Sequence, residues 1–161
     1  MDKEVYAQRI EQLKSRLYRT ACLYLGNEAL ALDAIGEAIY RGLISVKKLR
    51  EPAYFETWMT RILLNECKKV WRRAKREEPF ETMPETAGEE QAFESLPLRE
   101  AIRALPEDLR EVVILRFYAD FTQAETAKSL NIPQGTVVTR QRRALKLLKL
   151  ELLEEEATHE S

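Results

Sequence analysis

Apolar side chains return every three or four residues along most of this chain, and no stretch alternates with a strand's period of two. Residues 2–25 carry Tyr6, Ile10, Leu13, Leu17, Ala21 and Tyr24 at that spacing. Gly26–Asn27 reads as a stop and a new start. A second helix from Glu28 holds Ala31, Ala34, Ile35, Ala38 and Ile39 inward and is expected to end near Gly42. A basic connection (Lys47, Lys48, Arg50) closes at Pro52. A third helix, about 53–75, buries Phe55, Trp58, Met59, Ile62 and Val70.

Residues 77–95 change character, with seven glutamates, no basic residue, Pro79, Pro84 and Gly88. That is linker composition. Ser95 is an expected N-cap for a helix over 97–104. Pro106 opens another, reaching Tyr118 with Leu109, Val112, Val113 and Phe117 inward. Thr122-Gln-Ala-Glu125 is a capping box for a helix that reaches Leu130 and is broken by Asn131-Ile-Pro133. A last helix runs from Gln134 through Leu153. The fold class is therefore all-α: two small helical domains, an N-terminal bundle and a C-terminal helix-turn-helix domain, joined by an acidic linker.

Composition removes several functions. With one histidine, His159, histidine dyads and His-rich metal sites are not expected. Cys22 and Cys67 make neither a four-thiolate zinc site nor a disulfide framework, and read as buried small residues. No Gly-rich phosphate loop is present. The expectation is no enzyme, no cofactor and no metal. The longest apolar run is Ala21–Leu25, whereas a membrane span needs about 20 residues. With no signal-like N-terminus, a soluble cytoplasmic protein is expected.

Net charge is −1, but its distribution is uneven. Residues 61–76 hold seven basic residues and one acidic, and residues 128–149 hold six basic and none acidic. On the third helix Arg61, Asn65, Lys68, Arg72 and Lys75 share one face. Such a face suits phosphate contacts; the plainer alternative is a solvated charged face, which ordinarily mixes signs. The second basic segment follows a capped helix with small residues Ala124 and Ala127, the pattern of a helix-turn-helix, with Gly135 suited to a tight start. Its second helix presents Thr136, Thr139, Arg140, Gln141, Arg142 and Arg143, with Val137, Ala144, Leu145 and Leu148 inward. Arginine reads guanine bidentately in the major groove, and Thr and Gln reach base edges or phosphates.

These residues resemble the extracytoplasmic-function (ECF) sigma factors of bacterial RNA polymerase over about residues 5–150. The most specific part is LPEDLREVVILRFYADFTQAETAKSLNIPQGTVVTRQRRALKLL, Leu105–Leu148, which is similar to the family's region four. ALDAIGEAIYRGL (31–43) resembles the segment that docks on the polymerase clamp. FETWMTRILLNECKKVWRRAKR (55–76) resembles the Trp-bearing segment that melts and reads the minus-ten element. The resemblance implies a region-two domain at 1–76, a linker at 77–95 and a region-four domain at 96–161. It implies polymerase contacts from Asp33, Glu37, Tyr40 and Arg41. It implies single-strand minus-ten contacts from Asn65 and Arg72, to which the basic face of the third helix adds Arg61 and Lys68 and the need for a stacking surface adds Tyr54. It implies duplex minus-thirty-five contacts from Thr139, Arg142 and Arg143, beside which the same helix presents Thr136, Val138 and Arg140. The implied partners are core RNA polymerase (clamp helices and flap), promoter DNA and an inhibitory anti-sigma factor, often membrane-bound, in a stress or envelope response. Trp58 matches the pattern as a packing residue; Tyr54 and Trp71 are stacking candidates or interface-packing residues.

Departures from the family pattern are local. Gly36 stands where the family usually has Gln, Lys69 replaces a common Asp, and Val138 replaces a common basic residue but can pack on a thymine methyl. The linker can be tested by reach. Elements two helical turns apart lie roughly 70 Å apart, of which small domains of about 11 Å radius leave on the order of 50 Å. Residues 77–95 span about 63 Å fully stretched but about 24 Å as a coil, so they bridge only when nearly extended. The linker glutamates either occupy a basic RNA channel or form a solvated spacer. At the C-terminus, Leu145, Leu147, Leu148, Leu150 and Leu152 either pack a core or take an inhibitory partner, and Glu154–Glu156 are expected to fray the helix. A self-sufficient helix-turn-helix regulator would leave residues 1–76 without a role, and a helical adaptor would leave the two basic segments unexplained.

Overall fold

The computed structural model describes residues 1–77 and 96–160, with 150–160 as helical backbone. The chain divides into two compact units, Met1–Thr86 and Ala87–Ser161. Among the described residues there are seven α-helices and no strand. No helix among them is long and apolar enough to cross a membrane.

The first unit packs α1 (Lys3–Leu25), α2 (Glu28–Ser45) and α3 (Phe55–Glu77). Asp2 caps α1 by accepting from the Val5 amide at 2.8 Å, and Gly26 closes it in the left-handed region at φ 69°. Asn27 then caps α2, accepting from Leu30 N at 3.0 Å. The apolar residues expected of α1 are all buried. In α3 the buried line is Phe55, Met59, Leu63, Leu64, Cys67 and Val70, while Trp58 and Ile62 are only half-buried. Glu77, expected as the first linker residue, ends α3; the rest of the expected linker and the Ser95 cap lie outside the described residues.

Helix α2 does not stop at Gly42. It runs to Ser45 and tightens into a 3₁₀ turn over Val46–Lys48; a second 3₁₀ turn, Pro52–Tyr54, leads into α3. Gly42 is a packing residue: a Cβ there would collide with the Tyr6 hydroxyl and lie 3.0 Å from Met59 Sδ. That hydroxyl donates to the Ile39 carbonyl at 2.6 Å. Burial pushes its pKa up to about 12, which keeps the proton on the donor. Both cysteines are buried and reduced, and burial raises the Cys67 thiol well above its ordinary range, which disfavours the reactive thiolate.

Gly36, by contrast, is exposed, and an added Cβ meets nothing within 4 Å. Gly36→Ala is expected to stabilise the first unit by up to about 1 kcal/mol through helix propensity alone. Thermal melting checks this: a rise of a few degrees is expected, and a fall refutes it.

The second unit holds α4 (Leu96–Ala104), α5 (Glu107–Val113), α6 (Gln123–Leu130) and α7 (Gln134–Glu160). Helix α5 continues as a π-turn over Ile114–Tyr118, closed by Ala119 N donating to Ile114 O at 3.0 Å. The wider turn shifts the register by one residue. Phe117, expected inward, is consequently 44% exposed, while Ile114 and Leu115 are buried. The capping box is formed as expected, Thr122 Oγ1 accepting from Glu125 N at 3.0 Å and Glu125 Oε1 from Thr122 N at 2.9 Å. Asn131, at φ 58°, ends α6.

Val112, Ala127 and Val137 form the buried contact of the helix-turn-helix, with Leu130 and Ile132 against it. Ala124, expected at this contact, is exposed; Thr126 and Ser129 flank Ala127 in the interior instead. Gly135 needs no close approach, since nothing lies within 4 Å of an added Cβ. On α7, Val137, Ala144 and Leu148 are buried, but Leu145 is 45% exposed. The helical backbone also continues through Glu154–Glu156 to Glu160.

Candidate nucleic-acid interface

Two faces carry the residues singled out in the first unit. On α2, Asp33, Glu37, Tyr40 and Arg41 are exposed together. The sequence reading missed that Leu32 and Ile44 are exposed beside Tyr40, at 53% and 61% against 60%. The available signal was apolar side chains eight and four residues apart, opposite the alanine stripe. Desolvating such side chains favours a protein partner. Glu37 is not independent of Arg41, whose Nε lies 3.3 Å from Glu37 Oε1.

On α3, Arg61, Asn65 and Arg72 are exposed and Lys68 is half-buried. Asn65, Lys68 and Arg72 line one side of a cleft of about 470 Å³ between α2 and α3, and Arg41 lines the other. Arg61 and Tyr54 do not line it. Tyr54 is 45% exposed beside the start of α3. Trp71 packs edge-on against Tyr24, centroids 6.5 Å apart, and Lys75 Nζ lies 5.1 Å from its ring centre. Trp58 packs against Phe55 at 5.8 Å. The cleft is built because α2 ends one turn beyond Gly42, bringing Ile44 and Ser45 opposite Ile62 and Asn65.

In the second unit, α7 presents its first turns unevenly. Thr139, Arg142 and Arg143 are exposed, whereas Thr136 and Val138 are half-buried. Thr139 Oγ1 donates back to Gly135 O at 3.1 Å. Arg140 is turned toward α5, its Nε 3.7 Å from Asp108 Oδ2. Gln141 Oε1 accepts from Arg116 Nε at 2.9 Å, and Arg116 Nη1 donates to the Phe121 carbonyl at 2.5 Å. Arg116 thereby ties the π-turn and the turn before α6 to α7. Arg116 and Asp108 were not legible as site residues, because both partners are distant in sequence.

Each of the two helical units carries its own basic face, and the second holds a helix-turn-helix. Residues 9–77 match the family described as Sigma-70 region 2, and residues 101–150 match Sigma-70, region 4. The chain belongs to the RNA polymerase sigma factors, and its relatives are of the ECF type. It is 32% identical over 148 residues to RNA polymerase sigma factor SigV of Bacillus subtilis, covering 89% of this chain and 88% of that protein. It is 28% identical to ECF RNA polymerase sigma factor SigW of the same organism, covering 94% and 90%. The fold is shared with the sigma factor RpoE, solved in complex with the anti-sigma factor NepR from Bartonella quintana, at TM-score 0.77 and 20% identity, covering 92% of this chain and 97% of that one. It is also shared with CnrH, solved in complex with the cytosolic domain of CnrY, at TM-score 0.72 and 22% identity over 96% and 90%.

Proposed function

We propose that this chain binds core RNA polymerase in the cytoplasm and directs it to a particular set of promoters, without covalent chemistry of its own. The observation that carries this reading is the pairing of two separate basic surfaces, each on a unit matching a sigma region. The α2 face, Asp33, Glu37 and Tyr40 with Arg41 at its border, docks on the polymerase clamp. Arg61, Asn65, Lys68 and Arg72, with Tyr54 alongside, take the unpaired minus-ten strand, for which a basic track and aromatic surfaces are the physical requirement. Thr139, Arg142 and Arg143 read the minus-thirty-five duplex, with Thr136 and Val138 at the edge of that contact and Arg140 reaching phosphate from its perch on Asp108. The domain limits 1–76 and 96–161, joined by the acidic 77–95 segment, suit this division of labour. The polymerase flap is the expected partner of the second unit.

An anti-sigma factor, membrane-anchored in the arrangement the family suggests, holds the chain inactive until an envelope or other stress. The exposed Phe117, Leu145 and Leu147 support a protein partner there.

The test is co-elution of the purified chain with bacterial core polymerase on a sizing column, followed by promoter selection from a genomic library. A stoichiometric complex is expected. Elution alone while still binding duplex DNA overturns this reading in favour of an independent regulator.

A further inference from the structure

Glu66 is the only acidic residue in the basic stretch 61–76, and it is buried, with 4% of its surface exposed. Its Oε2 lies 3.2 Å from Arg41 Nε on α2 and 3.2 Å from Lys69 Nζ on α3. All three residues line the α2–α3 cleft together with Asn65, Lys68 and Arg72. A carboxylate under a phosphate-binding surface opposes the anion, and burying it is costly unless it is well paired. Its presence therefore weakens attraction to any strand by one charge.

What that charge provides is order. Lysine and arginine side chains lose substantial freedom when a ligand immobilises them. Glu66 pairs with two of them beforehand, Lys69 on one wall of the cleft and, together with Glu37, Arg41 on the other. The cleft volume, about 470 Å³, falls within the roughly 300–1,000 Å³ of small-ligand sites, large enough for one nucleotide rather than a duplex.

We propose that Glu66 is a positioning residue of the single-strand site: it holds Arg41 and Lys69 on the cleft walls so that the cleft selects its cognate minus-ten strand over phosphate in general. The proposal rests on the functional reading above and adds to it a residue that lowers general affinity in exchange for selectivity. It also assigns Arg41 to the cleft.

The test uses the chain loaded on core polymerase. Two labelled single strands serve as probes: the minus-ten strand obtained from promoter selection, and a scrambled strand of equal length and composition. Glu66→Gln keeps the shape and removes the charge. Scrambled-strand binding is expected to tighten, with the logarithmic salt slope steeper by about 0.7 for one more neutralised phosphate. Cognate preference is expected to fall about tenfold, as Lys69 loses its fixed position and Arg41 keeps only its pairing with Glu37 outside the cleft. Arg41→Gln should also cost preference, but with weaker scrambled binding, and the double variant should lose less than the sum.

Unchanged preference and slope, or parallel weakening of both strands as a merely structural role would give, overturn the proposal. Should Glu66→Gln fail to fold, Lys69→Gln, with a side chain 57% exposed, is expected to lose preference in the same direction, and unchanged preference there is equally fatal. A wild-type chain that shows no strand preference on polymerase overturns the functional reading as well; wild-type preference with an indifferent Glu66→Gln overturns this inference alone.

Discussion

Replacing Arg142 and Arg143 together by alanine is expected to weaken binding of the loaded polymerase to its minus-thirty-five duplex by about 10³-fold. The figure follows from two base-reading arginines at roughly 2 kcal/mol each. Both side chains are exposed on α7, about one and a half turns beyond the buried Val137 that anchors the helix. Anisotropy titrations with the selected promoter duplex at fixed salt provide the measurement. Binding of the minus-ten single strand should survive, since the residues proposed for it sit on the other unit. A loss below about fivefold, or equal loss on unrelated duplexes, would show that the pair contacts phosphate rather than bases. Arg140 should behave differently, because its pairing with Asp108 ties it to α5.

Phe55→Ala is expected to be the most damaging single change to the first unit, at about 3–5 kcal/mol. The ring is 1% exposed. It stands edge-on to Tyr6 at 5.9 Å, packs against Trp58 at 5.8 Å, and carries the Arg9 guanidinium 4.9 Å from its centre. A domain is stable by only about 5–15 kcal/mol in total, so this loss leaves much of the unit open to unfolding. In urea the first transition should move to lower denaturant with its slope retained. A cost under about 1 kcal/mol would mean that the cavity collapses fully.

Local signals in the sequence were read well where one residue decides the outcome. Asn27 and the Thr122–Glu125 box cap the helices expected of them, because a cap is a contact between residues three apart. The apolar stripe of α1 was legible for the same reason. Gly42 was not: its sequence neighbours suggest a helix end, whereas its role is set by Tyr6 and Met59 on other helices. Phe117 was misplaced because a helical period assumes 3.6 residues per turn, and the π-turn inserts an extra one. In the candidate site, the basic face of α3 was legible, but the meeting of Arg41 with Glu66 and Lys69 was not. A single acid in a basic run was the available clue, and only tertiary packing reveals what it holds. Lys69, which from sequence simply adds positive charge, is balanced by that same carboxylate.

The seat at Gly42 has a mechanical consequence. A side chain there would wedge α2 away from both neighbouring helices; its absence lets the three pack closely, with the Tyr6 hydroxyl latched to the α2 backbone at Ile39. Adjacent residues on a helix point about 100° apart, so Tyr40 and Arg41 address different neighbours from a single shaft. A protein that grips α2 through Tyr40 therefore holds a helix packed directly against the one that carries the basic face, so that such a grip bears on how that face is presented.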